Sequence, residues 1–396
     1  MKINGIICEY NPFHNGHEYL IKEAKRTADA VVCVMSGHFT QRGEAAILDK
    51  FTRARMALFG GADLVLELPY PFCASSAWYF AWAGTSILSM VGVDTLVFGS
   101  ESGDLSRLSA LADYSLSEEF EKEKQATQAD KGSAFAHFKA LLGEGERLLP
   151  NDILAVEYLR AIKKEGLPIT ALPIVRVGDG FGEKALGGSP YASATAIRDT
   201  LDKQGVNAVR GYIPDASLAE IKAAIESGDA PAGLKNAERA ILAFFRLTPP
   251  EHLAHIAGLG NGLEHRLCGA AMESRTLDEM MKACATKRYT DATIHRAILA
   301  AMLGVTWRDL DSGAAYTTVL GANATGRELL ASLRKTNLPI LTKPSDIESL
   351  CRALPKSQEA IRRQAELCLR ADSLYSLCLP KVAVAGKYLR GGAVML

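Results

Sequence analysis

The stretch INGIICEYNPFHNGHEYL, residues 3–20, decides the fold because it runs from an apolar strand through a tight turn into a helix. The apolar run at 3–8 has the length of a strand buried on both faces. Pro12 stiffens the entry to the turn that follows. Beyond it, apolar residues recur at the spacing of one helical face: Leu20, Ile21, Ala24 and Ala28. The stretch therefore predicts one strand–turn–helix unit.

Strand and helix patterns keep alternating after this unit. Short apolar runs predict strands at 3–8, 30–35, 63–68, 94–99 and 168–177. Helical periodicity predicts helices at 49–60, 74–91, 151–166 and 193–205. Strands joined by helices form a parallel sheet with right-handed crossovers and helices on both faces. We predict an α/β fold whose N-terminal part is a Rossmann-like parallel sheet domain.

Strand patterns nearly stop beyond Asp215, where helical periodicity takes over. Only 314–321 and 381–389 look extended there, and the helical segments are 216–227, 235–246, 262–285, 289–303, 325–336, 344–354 and 356–374. We therefore predict two domains, residues 1–210 and a mainly α-helical 211–396. Between the elements of the first domain, we expect a charged helical segment at 101–150 and a glycine-rich mobile loop at 178–190.

Composition excludes several classes of protein. The 396 residues carry 45 basic and 45 acidic side chains, so bulk charge does not favour a protein that coats nucleic acid, and we expect no DNA partner. No apolar run reaches 18 residues, and the N-terminus lacks a signal peptide, so we expect no membrane partner. The eight cysteines form no CxxC pair and are typical of free thiols in a reducing cytoplasm.

The turn before the first helix has the chemistry of a phosphate site. It lies beyond the carboxyl end of a predicted strand, where open parallel sheets bind ligands. Gly16 leaves room for a phosphate, and the helix that begins near His17 offers unpaired N–H groups. His14 and His17 add imidazole donors suited to attack on the α-phosphate of a nucleotide. A metal site or ordinary surface histidines remain alternatives; since HxxH alone lacks further ligands, we predict no protein-bound metal.

Two motifs resemble those of the nucleotidylyltransferase superfamily. FHNGH, residues 13–17, resembles its HxGH motif, and SATAIR, residues 193–198, resembles its second motif, (S/T)-x-(S/T)-x-x-R. Ser193, Thr195 and Arg198 would then open a helix that offers N–H groups and a guanidinium to the β- and γ-phosphates. The second motif is weak alone, because a serine before a helical arginine is frequent, but the pair on one fold pattern is more specific.

The resemblance extends to one family, the bacterial tRNA(Met) cytidine acetate ligases. It rests on GIICEYNPFHNGH, VMSGHFTQRGE, DKFTRARMAL, GADLVLELP, FGSE, PNDILAVEYL and ASATAIR, and more weakly on LPILTKPSD and RYTDATIHRAILAAMLG. It implies an ATP-dependent enzyme that activates acetate as acetyl-adenylate and forms N4-acetylcytidine at the wobble position of elongator tRNA(Met). ATP, Mg²⁺, acetate and this tRNA are the implied ligands, with 1–210 catalytic and 211–396 binding tRNA.

Carried over by position, the resemblance implies catalytic roles for His14, His17 and Arg198. The implied ATP-binding residues are Ile7, Cys8, Glu9, Tyr10, Asn11, Pro12, Phe13, His14, Asn15, Gly16, His17, Glu18, Tyr19, Leu20, Gly99, Asn151, Arg176, Ser193 and Thr195. Some of these have plainer explanations. Gly99 fits a strand-end turn, Asn151 fits a helix N-cap, and Arg176 fits an ordinary surface residue.

The loop after the second strand should face the same ligand. We name Ser36, Gly37, Gln41 and Arg42 as candidates for the acetate or target-base pocket. A small carboxylate needs one cation and an apolar wall, but the sequence does not identify the cation. Glu67 is either a carboxylate near Mg²⁺ or a solvated side chain, and we favour the second.

The helical half has a local basic excess that suits tRNA. Residues 355–396 hold seven basic and three acidic side chains, and Arg288, Arg296 and Lys343 are further candidates for phosphate contacts. Ordinary surface charge explains such an excess equally well. Two rival functions stay open: a small-molecule nucleotidylyltransferase, which needs no long helical extension, and a non-catalytic RNA-binding protein.

Overall fold

The fold comes from a computed structural model that describes residues 1–123, 148–177, 186, 188–333, 339–343, 345–353 and 359–396. The predicted segments 101–150 and 178–190 lie partly outside these ranges. The strands are β1 Ile3–Cys8, β2 Ala30–Ser36, β3 Leu64–Leu68, β4 Thr95–Ser100, β5 Thr170–Val175, β6 Thr317–Ala322, β7 Ile340–Leu341 and β8 Val394–Met395. The helices are α1 Asn15–Lys25, α2 Lys50–Phe59, α3 Ala77–Met90, α4 Leu105–Tyr114, α5 Pro150–Glu165, α6 Ala194–Gln204, α7 Asp215–Ser227, α8 Glu238–Leu247, α9 Leu263–Glu273, α10 Leu277–Cys284, α11 Asp291–Leu303, α12 Trp307–Asp311, α13 Ala324–Ser332, α14 Asp346–Ala353 and α15 Glu359–Leu377.

The central sheet confirms the predicted α/β class. Its strand order is β5-β4-β1-β2-β3-β6-β7, and the strands from β5 to β3 are parallel. In β1 and β2, Ile3 lies opposite Ala30 and Cys8 opposite Met35. Because parallel strands end at one edge, the loops after β1, β2, β3, β4 and β5 meet there.

The second half of the chain completes this sheet: β6 confirms the extended segment predicted at 314–321, although its pairing with an N-terminal strand was not predicted. β6 pairs antiparallel with β3, and β8 pairs with β6. The tail prediction was wrong in place: 381–389 holds turns and a short 3-10 helix at Lys387–Leu389, and the last strand is Val394–Met395. The domain division at 210 stays a prediction, since one sheet draws strands from both sides of it.

The two faces of the sheet bury different parts of the chain. Along β2, Val32 and Val34 face a core shared with α3, α5 and the helices beyond residue 234. Val31 and Cys33 face the opposite core, which α1, α2, α6 and α7 cover. This period of two is what a strand buried on both faces requires.

A buried ion cluster ties the helical half to the sheet. Lys50 Nζ lies 2.9 Å from Glu67 Oε1 and 3.1 Å from Asp372 Oδ2, and His38 Nδ1 lies 2.7 Å from Asp372 Oδ1. Lys50 and His38 hold the pKa of Asp372 down, at about 2, against the opposing effect of burial. Glu67 is therefore not solvated, contrary to the interpretation that the sequence favoured, because it is buried and Lys50 neutralises it inside the protein.

Candidate active site

A cavity of about 1110 Å³ opens at the carboxyl edge of the sheet. The ends of β1, β4 and β5 and the loops after β2 and β3 form one wall, and residues from 257 to 310 form the other. Seven basic and three acidic side chains line it, although the whole chain is neutral. The cavity is slightly larger than the about 300–1,000 Å³ that small-molecule sites occupy.

Two aromatic side chains shape the turn between β1 and α1. Tyr10 has a backbone φ of 50°, unusual for a residue with a large side chain, and its buried ring packs 4.9 Å from the rings of Phe13 and His17. Phe13 is fully buried against Gly60, where an added Cβ would come within 2.2 Å of its ring. Gly60 therefore has two roles: it ends α2, and its missing side chain leaves space for the Phe13 ring beneath the turn.

The two histidines form a reciprocal cap on α1. His14 Nδ1 accepts the Gly16 N–H at 3.1 Å, and His17 Nδ1 accepts the His14 N–H at 3.3 Å. Their rings stack with centroids 3.7 Å apart. Because each Nδ1 is an acceptor, each neutral ring carries its proton on Nε2. Both Nε2–H groups are then left as donors, and both residues line the cavity.

Burial keeps both imidazoles neutral. The pKa of His14 falls to about 3, first through burial and then through the nearby Arg176 and Arg198. The pKa of His17 also falls well below its usual value, through burial, His14 and Arg176. Neutral donors suit this place, because they stabilise developing phosphoryl charge without bringing a proton that titrates near neutral pH.

Both histidines should stay neutral across the working pH range. Their ring ¹³C–¹H NMR signals, assigned with the H14N and H17Q variants, should not titrate between pH 5 and 8, whereas histidines of the urea-denatured protein titrate near about 6.5. Because the unfolded state alone binds these protons, they should lower the free energy of unfolding as pH falls below about 6.5. A midpoint between pH 5 and 8 for either folded ring would contradict this.

Most of the predicted ATP stretch reaches the cavity. Ten of its fourteen residues line it: Ile7, Cys8, Glu9, Tyr10, Asn11, His14, Gly16, His17, Tyr19 and Leu20. The other members of the stretch serve the turn itself. Phe13 is buried beneath it, Asn15 Nδ2 donates to the carbonyls of Pro190 and Gly211, and Glu18 pairs with Lys22. Pro12 is also buried.

The second motif lies against the first. Ser193 caps α6, as predicted, by accepting the Ala196 N–H at 3.1 Å. Arg198 Nη1 donates to the Asn11 carbonyl at 2.8 Å, and Arg198 Nη2 lies 3.6 Å from Glu44 Oε2. Ser193, Thr195 and Arg198 all line the cavity, so residues 187 positions apart in sequence meet beside the histidine turn.

Three further ATP candidates border the cavity near β4. Arg176 is exposed and lines the cavity, and its Cγ lies 3.4 Å from the position that a Cβ on Gly99 would take. The sequence analysis allowed Asn151 to be the N-cap of α5, but the N-cap is Leu149. Asn151 Nδ2 instead donates to Glu101 Oε1 at 2.6 Å, and the same carboxylate accepts the Asp152 N–H at 2.9 Å.

The candidates after β2 divide between the cavity and the interior. Gln41 and Arg42 line the cavity. Ser36 and Gly37 do not, because both carbonyls accept hydrogen bonds from the buried Arg53 and a side chain on Gly37 would meet Glu67. Arg53 also holds the carbonyls of Glu9 and Leu48. Sequence reasoning missed Arg53, since nothing in the pattern of a helical arginine reveals four carbonyl partners.

Sequence reasoning also missed the aromatic residues of the cavity. Trp78 lines it with Arg160 Cζ 4.6 Å and Lys164 Nζ 4.7 Å from its ring, and Trp307 lines it while half exposed. Helical periodicity predicted that Trp78 lies on a helix, but it did not show that the half-buried ring lines the cavity.

The predicted basic surface at 355–396 is partly consumed by protein contacts. Arg363 pairs with Asp309, Arg370 donates to the Leu303 carbonyl, and Lys387 pairs with Asp229. Arg288 and Arg296 line the cavity, whereas Lys343 does not.

Neither a metal centre nor a membrane span is found among the described residues. They contain no group of three or more His, Cys, Asp or Glu side chains placed to hold a metal ion. Within the same ranges, no helix has both the length and the apolar character needed to cross a bilayer.

Known proteins resemble this chain over nearly its whole length. A family model described as HIGH Nucleotidyl Transferase matches residues 1–387. The chain is 38% identical to the tRNA(Met) cytidine acetate ligase of Syntrophomonas wolfei, over 97% of this chain and 96% of that protein. It is 35% identical to the ligase of Thermoanaerobacter sp. (strain X514), over 98% of each. Two crystal structures of Thermotoga maritima TmcAL cover all of both chains: one bound with alpha-thio ATP (TM-score 0.90, 31% identity) and one apo (0.92, 32%).

Proposed function

This chain belongs to the HIGH Nucleotidyl Transferase family, alongside tRNA(Met) cytidine acetate ligases, and we infer from this that it acetylates a cytidine of tRNA(Met). The enzyme is an ATP-dependent ligase that uses acetate. The observation that carries the assignment is the pair of neutral Nε2–H donors on the turn at the carboxyl edge of the sheet.

We propose that the reaction runs in two steps because acetate is a poor acyl donor. A carboxylate oxygen of acetate attacks the α-phosphorus of ATP, the bond to the β-phosphate oxygen breaks, and pyrophosphate leaves. The resulting acetyl-adenylate has a good leaving group. The cytidine N4 amine then attacks its carbonyl carbon, AMP leaves with the bonding electron pair, and the nitrogen loses a proton to yield N4-acetylcytidine.

Positioning and electrostatics supply the acceleration in the first step. His14 and His17 donate through Nε2 to the phosphoryl oxygens where charge builds. Arg176 stands on the same wall and adds a positive field, and Arg198 reaches the distal phosphates from the start of α6. The hydrogen bond from Arg198 to the Asn11 carbonyl orients the guanidinium toward the turn.

Mg²⁺ fits this site through the nucleotide. Mg²⁺ usually keeps several waters and binds substrate phosphates with only one or two carboxylates. Glu9 is the carboxylate that lines the cavity beside the turn, so it would be the chain's own contribution. When bound, the ion neutralises charge on the triphosphate.

We propose that the tRNA is elongator tRNA(Met) and that the target is its wobble cytidine. This base lies in a single-stranded loop, so little pairing must break before its edge is presented. The excess of basic over acidic side chains in the cavity supports a polyanionic partner, and Trp78 and Trp307 offer stacking faces. We place the enzyme in the cytoplasm, which suits the seven cysteines of the described residues that are buried and free.

The test combines purified protein with ATP, labelled acetate and elongator tRNA(Met). We expect N4-acetylcytidine at the wobble position by mass spectrometry of nuclease fragments, with AMP and pyrophosphate as co-products. Initiator tRNA(Met) is the matched control and should remain unmodified. AMP transfer to a phosphorylated mononucleotide would favour the small-molecule nucleotidylyltransferase, and tRNA binding without acetylation would favour the non-catalytic RNA-binding protein.

A further inference from the structure

Helix α11 presents small side chains and one charge to the cavity. Its lining residues are Ala292, Thr293, Arg296, Ala297 and Ala300, which helical spacing gathers on one side. Ala297 and Ala300 are buried, so the surface beside Arg296 is apolar and tight. A cation next to a small apolar surface is the arrangement that a short-chain carboxylate needs.

Arg296 is fixed next to the nucleotide side of the cavity. Its Nη1 donates to the Gln41 carbonyl at 3.2 Å, and the Gln41 N–H donates to Glu9 Oε1 at 2.5 Å. Gly43, at φ 76°, lets α11 come close, since a Cβ on residue 43 would lie 2.5 Å from the backbone nitrogen of Arg296. Two hydrogen bonds therefore link this guanidinium to Glu9, which begins the histidine turn.

Among the described residues, no acidic side chain pairs with the Arg296 guanidinium. Neither Arg296 nor the adjacent Arg42 forms an ion pair with a described residue, and the two acids nearby are engaged elsewhere. Glu9 accepts the Gln41 N–H, and Glu44 lies 3.6 Å from Arg198. Burial, and then Arg42, lower the pKa of Arg296 to about 10. A partly buried cation beside a second cation is stabilised by an arriving anion.

We propose that Arg296 binds the carboxylate of acetate and that Ala297 and Ala300 contact its methyl group. This rests on the proposed function, in which acetate must reach the α-phosphate from the side opposite the leaving pyrophosphate. A guanidinium holds a carboxylate through two parallel hydrogen bonds and so orients it for attack. Sequence analysis named Arg296 for a tRNA phosphate, but its half-buried place beside alanines favours a small ligand, and exposed Arg42 suits the larger anion better.

Acetate binding itself tests the site, without any turnover. Saturation-transfer NMR on the acetate methyl signal is recorded with full-length protein and α,β-methylene ATP. Wild type and the control R239Q, an exposed arginine outside the cavity, should show equal transfer. R296Q should weaken acetate binding at least tenfold with unchanged affinity for the ATP analogue, and R296K should be intermediate. Undiminished acetate binding by R296Q, or none by wild type, would overturn the site.

A second variant covers the case in which R296Q does not fold. A300V keeps the guanidinium but fills the space next to it, so it should weaken propionate binding more than acetate binding; equal affinities to wild type for both would count against the site. The two proposals fail separately. Acetate binding that depends on Arg296 in an enzyme that does not modify tRNA would contradict the function and support the site. Acetylation by R296Q with an unchanged KM for acetate would contradict the site alone.

Discussion

H14N and H17Q should each lower the rate of N4-acetylcytidine formation by about 10²–10³-fold, the effect of removing one well-aimed donor from developing charge. These substitutions are chosen because they preserve the cap. Asn is a favoured N-cap residue that still accepts the Gly16 N–H, and Gln at the third position still accepts the N-cap N–H. Each removes the Nε2–H donor that faces the cavity and leaves the start of α1 intact.

The alanine variants are the matched controls for this prediction. H14A and H17A lose the donor and a capping bond together, so H14A should also lose about 0.5–2 kcal/mol of unfolding free energy. Urea unfolding and single-turnover acetylation, measured on all four variants, separate the two effects. A wild-type rate in both H14N and H17Q would show that the imidazoles only cap the helix.

Arg53→Met should cost more stability than any other single change considered for this chain. The guanidinium is fully buried and donates to the carbonyls of Glu9, Ser36, Gly37 and Leu48. A buried acceptor left without its donor costs about 1–3 kcal/mol, so the free energy of unfolding should fall by at least about 4 kcal/mol. Because Glu9 begins the histidine turn, acetylation should fall as well.

Two variants make this test sharper. Arg53→Lys keeps the charge but cannot reach four carbonyls, so its unfolding free energy should lie between those of R53M and wild type. Arg55→Met, in the same helix, removes a half-exposed pair with Glu220 and should cost no more than about 1 kcal/mol. Urea denaturation of R53M, R53K and R55M measures these differences in the free energy of unfolding. Equal losses for R53M and R55M would mean that the stability of the protein does not depend on the four hydrogen bonds of Arg53.

Local patterns were enough for the parallel sheet and for the turn. A strand buried on both faces is apolar throughout, and a turn that caps a helix needs particular residues close to the helix start, so both leave a trace in neighbouring residues. The same argument found Ser193 at the start of α6. It failed at Asn151, where a side chain suited to capping was assigned the cap, because the competing carboxylate of Glu101 is fifty residues away.

The succession of strands and helices along the N-terminal half, the turn after β1 and the serine-capped helix α6 could be predicted from the sequence alone, since each leaves a pattern in residues that are close in the chain. The tertiary structure decided the rest. It drew β6 to the edge beside β3, placed Ser36 and Gly37 under Arg53, neutralised Glu67 with Lys50, and brought Arg296 to the loop after β2. These pairings join residues far apart in sequence, and their free energy comes from burial and charge compensation that arise only when distant segments pack together.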